Sequence, residues 1–284
     1  MILLTGSTGY LGSNLLDSFV NQGLEVVALK RINSDTKRWN GIKPDFLIEN
    51  IDQNSVDVIF KKYPIKRIIH TATSYGKKGE SLSQVLEANV LLPLRLIESG
   101  IKFGLEAFYN TSTSLPSNVN TYSKSKDQFK DWIVQFKDVF KIIHVVPEYF
   151  YGPNDDEIKF VTMLINKMKA KVESIDLSPC SQKRDFFFID DLVDGFTKLL
   201  KNESIIMTNS SFSIGSGESI PLKELVLKIA SIMDFDQSRL NFGALPLRAN
   251  EIQESHADLS KWKVFDWHPK VSLEEGLNLT ISSN

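Results

Sequence analysis

The chain has 284 residues, 42% hydrophobic and 24% charged, with a formal net charge of −2, a balance that fits a globule burying one large core or two unequal ones. Near-neutral charge supplies no global positive field for nucleic acid, and the single cysteine, Cys180, excludes an internal disulfide framework and a cysteine-rich metal cluster. No apolar run reaches the ~18 residues that span a bilayer, and the first residues lack the basic head and cleavage site of a signal peptide, so the expectation is a cytoplasmic protein with no membrane or nucleic-acid partner.

Ile2 to Thr5 reads as a strand that breaks into glycines at 6, 9 and 12 and resumes as a helical pattern, Leu11, Leu15, Leu16 and Phe19. Glycines there let the backbone turn sharply and approach a pyrophosphate, while the helix offers its unpaired N–H groups to the anion. A glycine-rich turn without a ligand is the alternative. Leu24 to Leu29 forms a second strand, ended by Lys30 and Arg31 where a dinucleotide fold meets the adenosine ribose. Two cations there suit a 2′-phosphate and predict NADP, with NAD possible. A basic loop facing water is the plain alternative.

Phe46 to Ile48 is a short third strand, Ser55 to Lys62 a helix, and Arg67 to Ala72 a fourth strand leading into the small-residue loop Thr73-Ser74-Tyr75-Gly76. His70, inside an apolar strand, reads as a core histidine rather than a catalytic one. Leu82 to Ser99 is a long helix, Phe103 to Tyr109 a fifth strand, Thr121 to Phe136 another helix, and Phe140 to Val146 a sixth strand stopped by Pro147. Alternating strands and helices predict an α/β doubly wound parallel sheet, a Rossmann fold.

Beyond Tyr151-Gly152-Pro153 the alternation loosens. Helices are expected over Ile158–Met168, from Asp190 as cap through Leu200, from Pro221 through Met233, and after Ser272 in a capping-box pattern; Phe186 to Ile189 is a strand. Residues 1–149 are therefore expected to form the dinucleotide-binding domain, with its sheet completed by part of 185–215. Residues 150–284 are expected to form a smaller mixed substrate subdomain.

Tyr122 and Lys126 lie four apart, on one helix face. A phenol with pKa near 10 exchanges protons poorly at neutral pH until a cation stabilises its phenolate, and Lys126 is placed to be that cation. Lys124 points elsewhere, to the surface. Upstream, Tyr109 to Ser114 ends the fifth strand, where ligands bind in open α/β sheets; a hydroxyl there can bond the same substrate oxygen as Tyr122, or merely satisfy its own turn. No Ser-His-Asp order or G-x-S-x-G elbow is present, and the four histidines lack metal-ligand spacing.

Taken together, Gly6-x-x-Gly9-x-x-Gly12, Lys30-Arg31, His70 to Gly76, Asn89-Val90, Thr111-Ser112, Tyr122-x-x-x-Lys126, Tyr151-Gly152-Pro153 and Arg184-Asp185-Phe186 resemble the extended short-chain dehydrogenase/reductases, the nucleotide-sugar epimerase/dehydratase family. The resemblance covers almost the whole length. It implies Tyr122 as acid/base, Lys126 as its electrostatic partner and nicotinamide-ribose ligand, and Ser112 as the hydroxyl that positions the reacting group. Around the cofactor it implies Gly6, Thr8, Gly9, Tyr10, Leu11, Gly12, Lys30, Arg31, Asn50, Ile51, Thr71, Ala72, Thr73, Tyr122, Lys126 and Pro147. For the substrate, a nucleotide-diphosphate sugar, it implies Tyr75, Ser112, Thr113, Lys159, Phe160, Arg184 and Arg248, the two arginines on the phosphates. Without the family, Arg184 beside Asp185 would read as a surface pair. A homodimer through the helices around Leu82–Ser99 and Thr121–Phe136 is expected on the same ground.

Within the family, Asn110 to Pro116 followed by Tyr122 to Lys126, together with Tyr151 to Phe160 and Phe242 to Pro246, are similar to the CDP-abequose and CDP-paratose synthases, which reduce the C4 ketone of CDP-4-dehydro-6-deoxyglucose with NADPH. Family dehydratases place an Asp-Glu pair directly after the threonine, where this chain has Thr113-Ser114. A hydroxyl is too weak an acid or base for water elimination. The expected activity is reduction of a 4-keto sugar nucleotide. A nucleotide-sugar 4-epimerase and a catalytically idle dinucleotide-binding regulator are the alternatives, and thymidine, uridine and guanosine diphosphates stay open beside cytidine.

Overall fold

The first strands carry almost no polar side chain, and a strand apolar on both faces needs cover on both. The computed structural model, which describes residues 1–52, 55–77, 79–248 and 250–283, supplies that cover with helices. In chain order the first half runs β1 (Ile2–Thr5), α1 (Tyr10–Asn21), β2 (Val26–Lys30), β3 (Leu47–Asn50), α2 (Val56–Lys62), β4 (Arg67–His70) and α3 (Leu82–Leu86). A π-helical turn, Glu87–Leu91, follows, then α4 (Leu92–Lys102), β5 (Ala107–Thr111), α5 (Thr121–Ile133) and β6 (Lys141–Pro147). The second half has β7 (Tyr149–Tyr151), α6 (Phe160–Lys169), β8 (Ile175–Leu177), β9 (Lys183–Arg184), β10 (Phe186–Phe188), α7 (Ile189–Lys201), β11 (Ser210–Ile214), β12 (Ile220–Pro221), α8 (Leu222–Ile232), β13 (Leu240–Phe242) and α9 (Leu273–Ser283).

Seven strands form one sheet in the order β11-β6-β5-β4-β1-β2-β3. The pairs from β3 through to β6 are parallel, with Ile2 opposite Val26 on one side and Arg67 on the other. The chain winds outward from β1 to β3, then returns to β1's other side as β4. That reversal puts the switch in strand order at the carboxyl ends of β1 and β4, which finish at Thr5 and His70, and open α/β sheets bind ligands at such a point. Leu3, Val27, Ile68, Phe108 and Ile142 of the strands pack with Ile59, Phe60, Leu96, Ile97, Phe129 and Ile133 of the helices. The fold is the expected Rossmann-type α/β arrangement.

Tertiary contacts divide the chain into two compact units, Met1–Val146 with Val193–Phe212, and Pro147–Leu192 with the residues from Ser213 onward. The second unit is built from small pieces: β7 with β10 and β8 with β13, both parallel, and β9 with β12 antiparallel. The Tyr151 hydroxyl donates to the Leu273 carbonyl at 3.0 Å. A Cβ on Gly276 would lie 2.5 Å from that hydroxyl, so glycine lets α9 rest on the ring.

Several expected boundaries move. The fifth strand starts at Ala107, not Phe103, because Phe103 ends α4 by bonding back to Gly100 and Gly104 turns with φ +77°. The long helix reaches Lys102 and contains the π turn. Asp190 is not a cap: α7 begins at Ile189, and Asp190 lies in its first turn. Ser272 does cap the last helix, accepting from Glu275 N–H at 3.2 Å.

Candidate active site

The glycine turn closes against the end of β4. Gly6 has φ +66°, and a Cβ there would sit 2.6 Å from Ala72 N and 2.7 Å from Thr71 Oγ1; one on Gly12 would sit 2.0 Å from the Gly6 carbonyl oxygen. Gly6 N-terminally and Gly12 on the helix must therefore be glycine. Thr71 Oγ1 donates to the Thr5 carbonyl at 2.7 Å, and Ala72 N–H to Thr5 Oγ1 at 3.2 Å, so β1 and β4 are stitched together beside the turn. Gly9 is the N-cap of α1 and contributes no side-chain bond, and the first turn holds no acidic residue. That positive helix end suits an anion. Thr8 is half-buried and Tyr10 and Leu11 are buried.

Trp39, absent from the residues expected on sequence, donates its indole N–H to the Ser7 carbonyl at 2.8 Å and packs edge-on against Phe46. It pins the segment after β2 onto the glycine turn. A tryptophan in a polar loop was the available sign. The same segment lays the Arg38 guanidinium over the Tyr10 ring, 5.9 Å from its centroid. Lys30 Nζ donates to the carbonyls of Arg31 and Ile32, while Arg31 is exposed. Ile51 N–H bonds the Lys30 carbonyl at 2.9 Å, and beside it Asn50 Oδ1 is buried with no partner among the described residues. A closed glycine cradle, an uncapped helix end and a waiting acceptor fit a dinucleotide.

The catalytic candidates lie on β5, α5 and the loop after β5. Asn120 caps α5, accepting from Ser123 N–H at 2.8 Å, which sets Tyr122 and Lys126 on the first two turns. Lys126 is 1% exposed, and its ammonium donates to the Thr111 carbonyl at 2.9 Å. The strand end carrying Ser112 is thereby tied to α5. Ser112 is itself buried and donates its N–H to the Val145 carbonyl at 2.8 Å; Thr113 is half-buried. Burial pulls the Lys126 ammonium down to about 8. His70 stays a core residue, fully buried, hydrogen-bonded to Thr5 through Nδ1 at 2.8 Å and held well below its ordinary value by burial and then by Lys126. Lys124 is exposed, as expected.

One buried amide organises the neighbourhood. Asn89, in the π turn, accepts from Ser74 N–H at 2.8 Å, donates to the Ser74 carbonyl at 2.8 Å and donates to Ser125 Oγ at 2.9 Å. Thr73 Oγ1 also donates to it, at 3.2 Å. A π turn inserts one residue into the helix and aims side chains an α-helix would not.

Of the other expected substrate residues, Tyr75 lies in the first unit with its ring against Tyr122, and the rest belong to the second unit. Arg184 is 3% exposed, with its guanidinium over Tyr149, Nε donating to the Tyr149 hydroxyl at 3.1 Å and Nη1 to the Lys183 carbonyl at 2.7 Å, while Nη2 bonds Glu251. Asp185 is wholly buried and accepts from Ser216 N–H and Oγ at 2.7 Å each and from Gly217 and Ala257 N–H at 3.0 Å. The surface-pair alternative is therefore wrong: two buried neighbours face different partners. Lys159 Nζ lies over the Phe150 ring, Phe160 opens α6, Arg248 is exposed, and Pro147 ends β6. Among the described residues no cluster of His, Cys, Asp or Glu could hold a metal ion, and no helix is long and apolar enough to cross a membrane.

A parallel sheet with a glycine cradle at its switch point and a Tyr-x-x-x-Lys helix beside a buried serine defines a dinucleotide-dependent class of α/β proteins. Residues 2–215 match the NAD dependent epimerase/dehydratase family, and the chain belongs to it. It is 33% identical to the CDP-abequose synthase of Salmonella muenchen over 297 residues, covering 99% of this chain and 97% of that one. It is 23% identical to a dTDP-4-dehydro-6-deoxyglucose reductase of Escherichia coli, covering 99% and 96%. Among solved structures it shares the fold of the Thermotoga maritima UDP-glucose 4-epimerase with UDP-glucose, at TM-score 0.87 and 23% identity, with 99% and 97% covered.

Proposed function

We propose that this protein reduces the C4 ketone of a nucleotide-linked 4-keto-6-deoxy sugar, of the CDP-4-dehydro-6-deoxyglucose type, using NADPH. The observation that carries the reading is the Lys126 ammonium, buried and bonded to the carbonyl next to Ser112, on the same helix face as Tyr122. The 33% identity with a CDP-abequose synthase supports the sugar and the base. Thr113-Ser114 in place of two carboxyl groups speaks against water elimination.

A bound nicotinamide dinucleotide supplies the hydride. Gly6, Thr8, Gly9, Tyr10, Leu11 and Gly12 would hold its pyrophosphate end, Asn50, Ile51, Thr71, Ala72, Thr73 and Pro147 would line it, and Arg31 would meet the 2′-phosphate. Ser112 hydrogen-bonds the ketone oxygen and fixes it for attack. Tyr122 gives its phenolic proton to the oxygen as negative charge develops, and Lys126 offsets the phenolate that remains. Lys126 reaches ribose hydroxyls with the same ammonium. Thr113, Lys159 and Phe160 contact the sugar nucleotide, and its phosphates are assigned to Arg184 and Arg248. The protein acts as a homodimer.

A 4-epimerase is the second reading. Lys30 favours it to a degree, since its ammonium serves loop carbonyls and one of the two cations expected for a 2′-phosphate is spent. Purified protein given CDP-, dTDP-, UDP- and GDP-linked 4-keto sugars with NADPH or NADH separates the cases. Stoichiometric loss of cofactor absorbance with a C4 alcohol seen by NMR supports reduction. Sugar interconversion without cofactor loss means an epimerase, and cofactor binding with no turnover on any substrate means an idle relative.

A further inference from the structure

Tyr122 is the second residue of α5, and its ring is only half-buried. The helix fixes its Cα and limits its rotamers without choosing one direction for the hydroxyl. A proton donor has to arrive within hydrogen-bond reach of one oxygen, and misplacement by about 1 Å costs ~10²-fold in rate. Something beyond the helix must hold the ring.

The Tyr75 ring lies against it, with centroids 4.8 Å apart and planes inclined by 43°. Tilted pairs at that spacing are favoured because the positive edge of one ring meets the negative face of the other. Tyr75 sits on a short loop that is fixed on both flanks. On one side Asn89 takes both backbone groups of Ser74, and Ser74 Oγ donates to Glu80 at 3.1 Å. On the other, Gly76 turns at φ +65°, where a Cβ would press to 3.3 Å from Val85 Cγ2 and 3.5 Å from Thr121 Oγ1. Asn89 also donates to Ser125 Oγ, which in turn donates to the carbonyl of Tyr122 at 2.7 Å. The same buried amide thus references the backbones on which both rings stand.

We infer that Tyr75 is a positioning residue for Tyr122: its ring is the stop that sets the direction of the phenol, and its hydroxyl is not needed for that task. This rests on the proposed role of Tyr122 as proton donor. It differs from a substrate contact, which would use the Tyr75 hydroxyl.

The test compares Tyr75→Phe, Tyr75→Ala and Tyr75→Leu in the full chain, with CDP-4-dehydro-6-deoxyglucose and NADPH; the leucine variant keeps side-chain bulk where alanine loses the fold. Tyr75→Ala and Tyr75→Leu are expected to lower kcat 10- to 100-fold with KM for both substrates within threefold, and Tyr75→Phe to stay within threefold of wild type throughout. Tyrosine ring 13C labelling, with the Tyr122 resonance assigned by its loss in Tyr122→Phe, gives a reading that needs no turnover: the resonance should broaden or move in the alanine and leucine variants and not in Tyr75→Phe. Unchanged kcat and resonance in alanine and leucine variants overturns the inference. So does a Tyr75→Phe variant as impaired as Tyr75→Ala with raised sugar-nucleotide KM. Failure of the proton-donor reading looks different: Tyr122→Phe keeps its turnover, whatever the Tyr122 resonance does in the Tyr75 variants.

Discussion

Buried Arg184 and half-buried Glu251 form an ion pair in which the carboxylate occupies Nη2 of a guanidinium whose other two nitrogens already serve Tyr149 and Lys183. Every nitrogen of Arg184 is spoken for by protein groups. If a sugar nucleotide's phosphates take this guanidinium, they must compete with the carboxylate.

Glu251→Gln keeps an acceptor on Arg184 and removes the competing charge. A charged hydrogen bond is worth about 1 kcal/mol more than a neutral one, so CDP binding measured calorimetrically should tighten about fivefold. Weaker or unchanged binding would remove Arg184 from the phosphate site and leave the pair as a structural element of the second unit.

Replacing Tyr122 by Phe should lower turnover by ~10²- to 10⁴-fold, the range lost with a general acid, while NADPH affinity measured by fluorescence titration changes little. Equal loss of both would mean that the ring matters for folding and not for proton transfer.

The buried Lys126 ammonium, drawn down to about 8 by desolvation, predicts a falling alkaline limb. Reduction needs the cation, so kcat/KM should decline as pH rises through about 8, and the weak residual activity of Lys126→Met should show no such limb. The sign for stability is opposite. With the folded value below the unfolded ~10.4, the unfolded chain binds the extra proton between the two, so this group's contribution to stability increases as pH rises across that interval. Denaturant titrations of wild type against Lys126→Met at pH 7 and pH 10 should show the wild type gaining relative to the variant.

Gly12→Ala places a methyl 2.0 Å from the Gly6 carbonyl oxygen, a backbone atom that cannot swing aside. The turn must open. We expect about 3 kcal/mol of destabilisation, at the upper end for overpacking, and loss of dinucleotide binding. Gly23→Ala, where a Cβ meets nothing within 4 Å, should retain binding and report only the cost of its φ of +72°.

Asp185→Asn turns an acceptor-only group that gathers four donor contacts into one whose amide opposes some of them. Loss of about 3 kcal/mol follows from leaving buried N–H groups unpaired, read as a lower unfolding midpoint for the second unit. A surface residue would show nothing measurable.

The fold of the first half was legible because its signals are local and redundant. Apolar runs, glycine spacing and the Tyr122–Lys126 interval each constrain a strand, a turn or a helix face without reference to anything distant. Boundaries were less so: Phe103 is apolar enough for a strand, yet Gly104 turns the chain first, and only the partner strand decides where pairing begins. What sequence could not carry was the partner of a polar group. Nothing near Arg184 announces Glu251, 67 residues on, and nothing near Asn89 announces Ser74 and Ser125. Lys30 was legible as a cation and not as a lysine whose ammonium folds back on its own loop.

The π turn at Glu87–Leu91 has a consequence for anyone who would stabilise this enzyme by redesign. Deleting one residue there would restore uniform α pitch and gain backbone regularity, and it would also rotate Asn89 by about a quarter-turn away from Ser74 and Ser125. The irregular stretch of helix is the part of the molecule least open to idealisation, although no atom of it carries charge to a reacting centre.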